Sequence, residues 1–233
     1  MGSMLIENNT FHDNYLYGID PHTGTHDMII RNNKVHHNNA SAIICSKHCY
    51  DILIEGNEIY NNGKAQRGIA FSINTTNSIA RNNYIHDQIS CIGANRGSDY
   101  NKIYNNTISN CKIGINLADT SHQVINENKI SGVEDAIILR DTLNKIFHNK
   151  IQNSTNAIVL INASESNQIV TIDNKDKKED IYTDFLTDVS KVNEILDVRN
   201  PSIIISGRLI SEYQFEKSEY ENITDVFEEI ELE

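Results

Sequence analysis

The sequence lacks several features that would place it in a common functional class. It has no run of about 18 or more apolar residues, so no membrane span is predicted. No charged segment followed by an apolar leader opens the chain, and no secretory signal is therefore predicted. It also has no glycine-rich phosphate loop, no nucleophile elbow, no EF-hand and no calcium-binding nonapeptide repeat. We accordingly predict no cofactor and no metal site, although Asp and Asn side chains at turns would be compatible with structural calcium.

Cysteine and proline are scarce, with four and two residues respectively among 233. The cysteines form no CxxC pair and have no metal-ligand spacing. We therefore expect mostly buried free thiols at Cys45, Cys49, Cys91 and Cys111.

Basic charge is also scarce, with 20 Lys+Arg against 32 Asp+Glu and a net charge of −12. Residues 176–233 carry 16 acidic and 6 basic side chains, which leaves a net charge of only −2 on residues 1–175. A nucleic-acid partner is not expected, because such binding normally shows as a basic patch or stripe.

What the sequence does have is an internal repeat. One phrase occurs seven times, as "LIENNTF", "MIIRNNKV", "ILIEGNEI", "SIARNNYI", "NKIYNNTI", "QVINENKI" and "NKIFHNKI". Its central asparagines follow one another at intervals of 24, 24, 26, 23, 22 and 21 residues, at Asn9, Asn33, Asn57, Asn83, Asn106, Asn128 and Asn149. A second phrase recurs between them, as "YGID", "SAIIC", "RGIAF", "CIGAN", "IGINL", "DAIIL" and "NAIVL".

Each repeat therefore holds two or three short alternating strands separated by turn residues. The absence of helical periodicity disfavours a leucine-rich repeat, and the repeat is too short for a propeller blade. The pattern predicts an all-β parallel β-helix over residues 1–174, with coils stacked about 4.8 Å apart around a column of Ile and Val. We expect the asparagines to adopt the left-handed turn conformation and to hydrogen-bond between coils.

The repeat fades after about Ile172, and residues 175–233 form an acidic C-terminal segment. The stretch "PSIIISGRLISEYQF" within it predicts a strand. Apolar residues at three- or four-residue steps predict an amphipathic helix before that strand, at Ile181, Phe185, Val189, Val192 and Leu196. We interpret residues 175–233 as an α/β cap over the edge of the last coil, with a partner-binding tail as the alternative.

The first coil departs from the repeat where its second phrase ends. The repeats align Asp20 with Ile44, Ala70 and Ala94, and they align His22 with Ser46 and Ser72. Pro21 stiffens the backbone between Asp20 and His22 and removes a hydrogen-bond donor. Such a combination is typical of a strand end or of a site that must be held rigid.

Most histidines fit the repeat and are not expected to be functional. His12, His36 and His86 follow the same strand, in a column that elsewhere holds Tyr60, Ser109, Ser131 and Gln152. We interpret these three as repeat-turn residues and single out His22.

The stretch "YGIDPH" (17–22) resembles the signature of the mannuronan C5-epimerases, and "IIRNNKVHHNNASAIICSKHC" resembles the next coil of that family. The resemblance covers roughly residues 5–165. It implies a right-handed β-helix and an isomerase that converts β-D-mannuronate to α-L-guluronate within an alginate-like chain. It also implies an anionic polysaccharide partner and an extracellular or periplasmic location. The chain departs from the family at Thr23, where an acidic residue often stands, and at Ser41-Ala42, where His-Gly often stands.

Epimerisation at C5 requires a proton to leave one face of the sugar and return on the other, so two proton-transfer groups must flank the ring. The resemblance implies that His22 and Tyr17 are this acid/base pair, because histidine titrates near neutrality and tyrosine can be activated by a nearby cation. Asp20 would orient His22 or bond the substrate.

The adjacent carboxylate must also be neutralised, so that the enolate-like intermediate is stabilised. The resemblance implies Lys47 or Arg67 for this role. Arg67 stands in the column of Tyr17, two coils along, and Lys47 follows Ser46, the residue stacked on His22. Ser46 would therefore line the same site. Arg96 and Lys102 would extend a basic groove for further uronate subsites.

Two alternatives remain open from the sequence. A polysaccharide lyase shares the proton abstraction but expels the C4 oxygen. A non-catalytic β-helix that binds carbohydrate or serves as an accessory protein would use the Asp-Pro-His stretch only as a strand-end turn. The sequence gives no indication of oligomeric state.

Overall fold

Three parallel sheets wind around a common axis in the computed structural model, and no helix occurs among the residues it describes. These are residues 4–63, 67–140 and 143–161, with the strand segments 168–169, 194–196 and 200–206. From the second coil to the seventh, each coil contributes one strand to each sheet, and residues 21–26 positions apart in successive coils become neighbours. Right-handed winding and parallel pairing throughout confirm the predicted β-helix.

The strands of the three sheets are short. Sheet A contains β1 (Met4–Glu7), β3 (His26–Arg31), β6 (Tyr50–Glu55), β9 (Ile79–Arg81), β12 (Lys102–Tyr104), β15 (Val124–Asn126), β18 (Lys145–Phe147) and β21 (Gln168–Ile169). Sheet B contains β2 (Thr10–His12), β4 (Lys34–His36), β7 (Glu58–Tyr60), β10 (Tyr84–His86), β13 (Thr107–Ser109), β16 (Lys129–Ser131), β19 (Lys150–Gln152) and β22 (Glu194–Leu196). Sheet C contains β5 (Ile43–Cys45), β8 (Arg67–Ser72), β11 (Ser90–Asn95), β14 (Ile113–Ala118), β17 (Asp135–Leu139), β20 (Asn156–Ile161) and β23 (Asn200–Ser206).

The C-terminal segment adds strands to these sheets. β22 pairs with β19, and β23 pairs with β20. The strand predicted in "PSIIISGRLISEYQF" is therefore present over Pro201–Ser206. Residues 194–196, where the predicted helix was expected to end, form a strand instead. The rest of that helix, residues 181–193, lies outside the described residues.

The core is a stack of inward-facing aliphatic side chains. In sheet C one column is entirely isoleucine and fully buried from the second coil to the seventh, and consists of Ile43, Ile69, Ile92, Ile115, Ile137 and Ile158. Continuous burial of this kind is the main stabilising contribution in a solenoid, because each coil covers only its neighbours.

The repeated asparagines form a continuous ladder, which is buried from the second coil onwards. The Oδ1 atom of Asn83 accepts from the backbone N of Asn57 at 3.0 Å and from its Nδ2 at 3.0 Å, while Asn83 Nδ2 donates to the carbonyl of Ile54 at 3.0 Å. The same backbone contact repeats at 2.9–3.1 Å from Asn9 to Asn149. The predicted hydrogen bonding between coils is therefore confirmed.

The predicted left-handed conformation of these asparagines is wrong by one residue. Positive φ angles occur at the residue before each ladder asparagine, for example Asn82 (56°) and Asn105 (51°). The ladder residue itself points inward to satisfy buried backbone groups, and its predecessor makes the turn. In the third coil this turn position is Gly56, at φ 64°.

The cysteine prediction is half right. Cys91 and Cys111 form a disulfide between adjacent coils, with their Cα atoms 6.2 Å apart. Cys45 and Cys49 are free and buried. Burial raises the pKa of both thiols, that of Cys45 well above its usual value, so both are expected to be unreactive.

The repeat-turn histidines stack on the outer face of sheet B. The rings of His12, His36, Tyr60 and His86 follow one another with centroids 5.2, 4.9 and 5.0 Å apart and planes within 12° of parallel. This column is the one predicted from the repeats.

Replacing Asn83 with Ala should destabilise the fold by roughly 1–3 kcal/mol, because buried backbone groups in two adjacent coils lose their partner. The exposed Asn39, whose side chain makes none of these ladder contacts, provides the control. Urea denaturation of Asn83→Ala and Asn39→Ala measures the difference. Equal free energies of unfolding would show that the ladder does not stabilise the stack.

Stability should fall on acidification through His36. Burial, followed by the charges of His37, His12 and Lys34, lowers the pKa of His36 below 6.5. The unfolded chain therefore binds more protons, and stability is lost as pH falls from about 6.5 towards the lowered value. His36→Tyr keeps the ring stack and should reduce this slope in thermal melts between neutral and mildly acidic pH. An unchanged slope would contradict a contribution from His36.

Candidate functional site

The site residues predicted from the sequence lie mainly on the outer face of sheet C. Outward-facing side chains there form three columns along the axis, separated by residues that face the core. Hydrogen bonds and strand register set these columns. The first column holds Tyr17, Ser41, Arg67, Ser90, Ile113, Asp135 and Asn156. The second holds Asp20, Ile44, Ala70, Gly93, Asn116, Ile138 and Val159. The third holds His22, Ser46, Ser72, Asn95, Ala118 and Arg140.

The Asp-Pro-His stretch continues the sheet C edge in the first coil. Ile19 bridges to Ile43, and the carbonyl of Pro21 accepts from the backbone N of Ser46 at 2.9 Å. Pro21 has no N–H to donate to the neighbouring strand, so the ladder lacks one hydrogen bond here, as the sequence predicts. Pro21 is buried, whereas His22 is exposed.

Asp20 is held by the neighbouring coil. The Ser46 hydroxyl donates to Asp20 Oδ1 across the strand step. Asp20 Oδ2 accepts no hydrogen bond from the described residues. The side chain is therefore oriented while one oxygen stays available to a ligand or to another site residue.

A tight turn follows His22. The carbonyl of His22 accepts from the Thr25 hydroxyl at 2.5 Å and from the Thr25 backbone N at 3.0 Å, and Gly24 occupies the turn at φ 75°. The Thr23 hydroxyl lies 2.8 Å from His22 Nδ1. Because a hydroxyl can donate or accept, this contact suits either neutral tautomer of the ring.

Lys47 lies beside this turn. Its carbonyl accepts from the Gly24 backbone N at 3.0 Å, and its side chain is exposed. Its ammonium forms no ion pair with a carboxylate in the part of the chain that the structure describes. An exposed cation therefore follows Ser46, the residue that pairs with His22 in the next coil.

Arg67 stands in the column of Tyr17, but its head group points away from the first coil. An added Cβ at Gly93 would lie 2.3 Å from Arg67 Nε and 2.5 Å from Arg67 Cδ. The arginine side chain therefore crosses the surface of the fourth coil. Burial, followed by the charges of Arg140 and Arg96, lowers the pKa of Arg67.

The repeat alignment in this coil is wrong by one residue. Gly93 pairs with Ala70, whereas the predicted partner Ala94 pairs with Phe71 and faces the core. The strand register is unbroken from Ser90 to Asn95, so Cys91 stands opposite Gly68, and the repeat alignment had placed this coil one residue too far along. A one-residue shift exchanges inward and outward faces, and for this reason sequence analysis missed Gly93.

Arg96 and Lys102 lie on different faces. Arg96 follows β11 at the end of sheet C, is exposed, and has φ 53°. Lys102 begins β12 of sheet A, so it does not extend the sheet C groove. Arg140, which sequence analysis did not single out, ends the third column, and its Nη1 donates to Asn116 Oδ1 at 2.6 Å. Only the strand register of the sixth coil could have indicated that Arg140 belongs to this column.

No cluster of three or more His, Cys, Asp or Glu side chains is arranged to hold a metal ion within the described ranges. Over the same ranges, no helix is long and apolar enough to cross a membrane.

The fold and this outer face define a parallel β-solenoid with a polar site on one sheet. A family profile described as "Right handed beta helix region" matches residues 2–98 and 23–176. The chain therefore belongs to the right-handed β-helix family. A search of curated protein sequences gives no match.

Two solved structures share the fold. The periplasmic alginate epimerase AlgG superposes with a TM-score of 0.54 at 20% identity, over 87% of this chain and 44% of that protein. The A-module of the Azotobacter vinelandii mannuronan C-5 epimerase AlgE6 superposes with a TM-score of 0.57 at 16% identity, over 88% of this chain and 52% of that module. The chain thus spans about half the length of these structures.

Proposed function

We propose that this protein acts on an anionic polysaccharide and is a polyuronate C5-epimerase, converting β-D-mannuronate to α-L-guluronate in the polymer. The observation that carries this proposal is the Asp20–Pro21–His22 stretch on the outer face of sheet C, with Ser46 and Lys47 of the next coil beside it. The fold shared with two alginate epimerases supports it. An extracellular or periplasmic location would suit such a substrate.

Lys47 would neutralise the substrate carboxylate. An ammonium beside the carboxylate stabilises the enolate-like charge that develops when the C5 proton leaves. Lys47 suits this role better than Arg67, because the Arg67 guanidinium lies across Gly93 in the fourth coil and not over the first. Asp20 Oδ2 would accept from a sugar hydroxyl and fix the ring over Asp20.

His22 and Tyr17 would transfer the protons. They stand in the third and first columns, on opposite sides of Asp20, so a ring above Asp20 would have one group towards each side. Thr23 occupies Nδ1 of His22, which leaves Nε2 as the atom that exchanges a proton with the substrate. One group removes the C5 proton and the other returns a proton on the opposite face.

Incubation of polymannuronate with the protein in D₂O tests the proposal by proton NMR. We expect guluronate anomeric signals with deuterium at C5, and no rise in the ultraviolet absorbance of unsaturated uronate. His22→Gln should abolish turnover while leaving polymer binding nearly intact. His12→Gln is the matched control, because its column already accommodates Gln152.

Two other outcomes of this experiment would assign a different function. Rising absorbance would assign a lyase, in which the C4 oxygen is expelled after proton removal. Binding without turnover, unaffected by His22→Gln, would assign a non-catalytic carbohydrate-binding protein and contradict the proposed enzyme.

Thr23→Asp should move the pH profile of turnover to higher pH. A carboxylate next to His22 Nδ1 favours the protonated ring, whereas the Thr23 hydroxyl accommodates either neutral form. Thr23→Val, which removes the hydroxyl without adding charge, is the control and should lower the rate without this shift. Identical pH profiles for wild type and Thr23→Asp would contradict proton transfer by His22.

A further inference from the structure

Arg67 is a half-buried guanidinium without a carboxylate partner among the described residues. The arginines of sheet A differ in this respect. Arg31 Nε binds Glu7 Oε1 at 2.7 Å, and Arg81 Nε binds Glu55 Oε1 at 2.9 Å. A partly buried charge without a partner is unfavourable. The lowered pKa of Arg67, caused first by burial, is in keeping with that cost.

The sequence makes room for this guanidinium. Gly93 lies under the side chain, and any Cβ there would overlap Arg67 Nε, Cδ and Cζ at 2.3, 2.5 and 3.0 Å. The same column carries a side chain in the coils on either side, Ala70 and Asn116. Gly93 thus lets Arg67 lie flat against the sheet.

A second arginine approaches the same place from the opposite direction. Arg140 belongs to the sixth coil, but its Nη1 reaches back to Asn116 Oδ1 in the fifth. Asn116 is the register neighbour of Gly93, and such neighbours lie about 4.8 Å apart. The two guanidiniums therefore converge on adjacent positions of one column.

The surrounding charges do not neutralise this pair. Arg96, at the end of the fourth coil, acts on Arg67 as a further positive charge together with Arg140. Asp135, in the column of Arg67, accepts from Asn156 Nδ2 at 2.6 Å. None of the three arginines forms an ion pair with a described carboxylate.

We infer that Arg67, Arg96 and Arg140 form a second anion-binding subsite, kept open by Gly93, for a carboxylate of a polyuronate residue other than the one at Asp20 and His22. This inference rests on the proposed function for the identity of the polymer. Planar guanidiniums suit carboxylates because they donate paired hydrogen bonds. Gly93 is a positioning residue, since it acts only through Arg67.

The position of the subsite sets the direction of the polymer. The Arg67 guanidinium lies over the fourth coil and that of Arg140 reaches the fifth, three and four coils from His22, which correspond to about 14 Å and about 19 Å along the axis. A linear polymer that reaches both sites must therefore run along the solenoid axis, over the outer face of sheet C.

Calorimetric titration with polymannuronate tests the subsite. Arg67→Gln and Arg140→Gln should each weaken binding about tenfold, as expected for loss of a charge-assisted contact. Arg31→Gln, which removes an arginine from sheet A, is the matched control and should bind like wild type. Equal affinities for all three variants and wild type would overturn the subsite.

A double-mutant cycle tests the role of Gly93. Gly93→Ala should weaken binding in the wild-type background and have no further effect in Arg67→Gln, because the added methyl acts by displacing the guanidinium. Circular dichroism checks that each variant is folded. Additive losses would contradict the positioning role.

Oligomer length separates this inference from the proposed function. Arg140→Gln should weaken binding of long mannuronate oligomers but not of a dimer bound at His22, which cannot span the four coils to the Arg140 guanidinium. These measurements need no turnover, and they can be repeated in His22→Gln. Binding that depends on the arginines, without epimerisation, would support the subsite and contradict the proposed epimerase. Epimerisation with arginine effects that do not depend on oligomer length would support the epimerase and contradict the subsite. A sulfated polysaccharide that binds as tightly as polymannuronate would overturn the assignment to carboxylates.

Discussion

The structure depends on hydrogen bonds between buried asparagine side chains in successive coils. Each ladder asparagine satisfies a backbone N–H of the preceding coil, and its amide donates back to a carbonyl there, as Asn83 does with Asn57 and Ile54. Isoleucine columns alone do not define register strongly, because apolar contacts are non-directional. The asparagines add directional contacts at a fixed place in every coil, and the sheets and their outer faces take their register from them.

This stacking gives the three faces of the solenoid different chemistry. On sheet A, glutamate and arginine alternate in one column over the first four coils and neutralise each other, as Arg31 does with Glu7. On sheet B, imidazole and phenol rings stack along the axis. On sheet C, cations lie near a polar strand end without carboxylate partners among the described residues. An anionic ligand is therefore expected to bind on sheet C, where its charge would neutralise the unpaired positive charges.

The candidate site and the arginine subsite both depart from the rule that each coil repeats its neighbour. Pro21 removes one hydrogen bond from a ladder, and Gly93 removes a side chain from an otherwise filled column. Departures from local consistency tend to mark functional positions, because the regular structure around them supplies the stability that they forgo. Here the long ladders on either side provide that support.

The sequence by itself determined the architecture. Intervals of 21–26 residues between asparagines predicted the coils, and the loss of repeat character at Asp20 and His22 indicated the candidate site. These signals are local and periodic, so they can be recognised in the sequence without knowledge of the tertiary contacts. The stacking of Ser46 on His22 followed from counting, because the two phrases were aligned correctly in the first two coils.

The tertiary structure decided what counting could not. The strand register placed Gly93, not Ala94, opposite Ala70 on the outer face, and the disulfide between Cys91 and Cys111 became apparent only in the folded chain. The directions of Arg67 and Arg140 also came only from the structure, because a long side chain can reach either neighbouring coil from the same backbone position. Sequence periodicity gives the column of a residue, whereas the packing of its neighbours determines where its functional group lies.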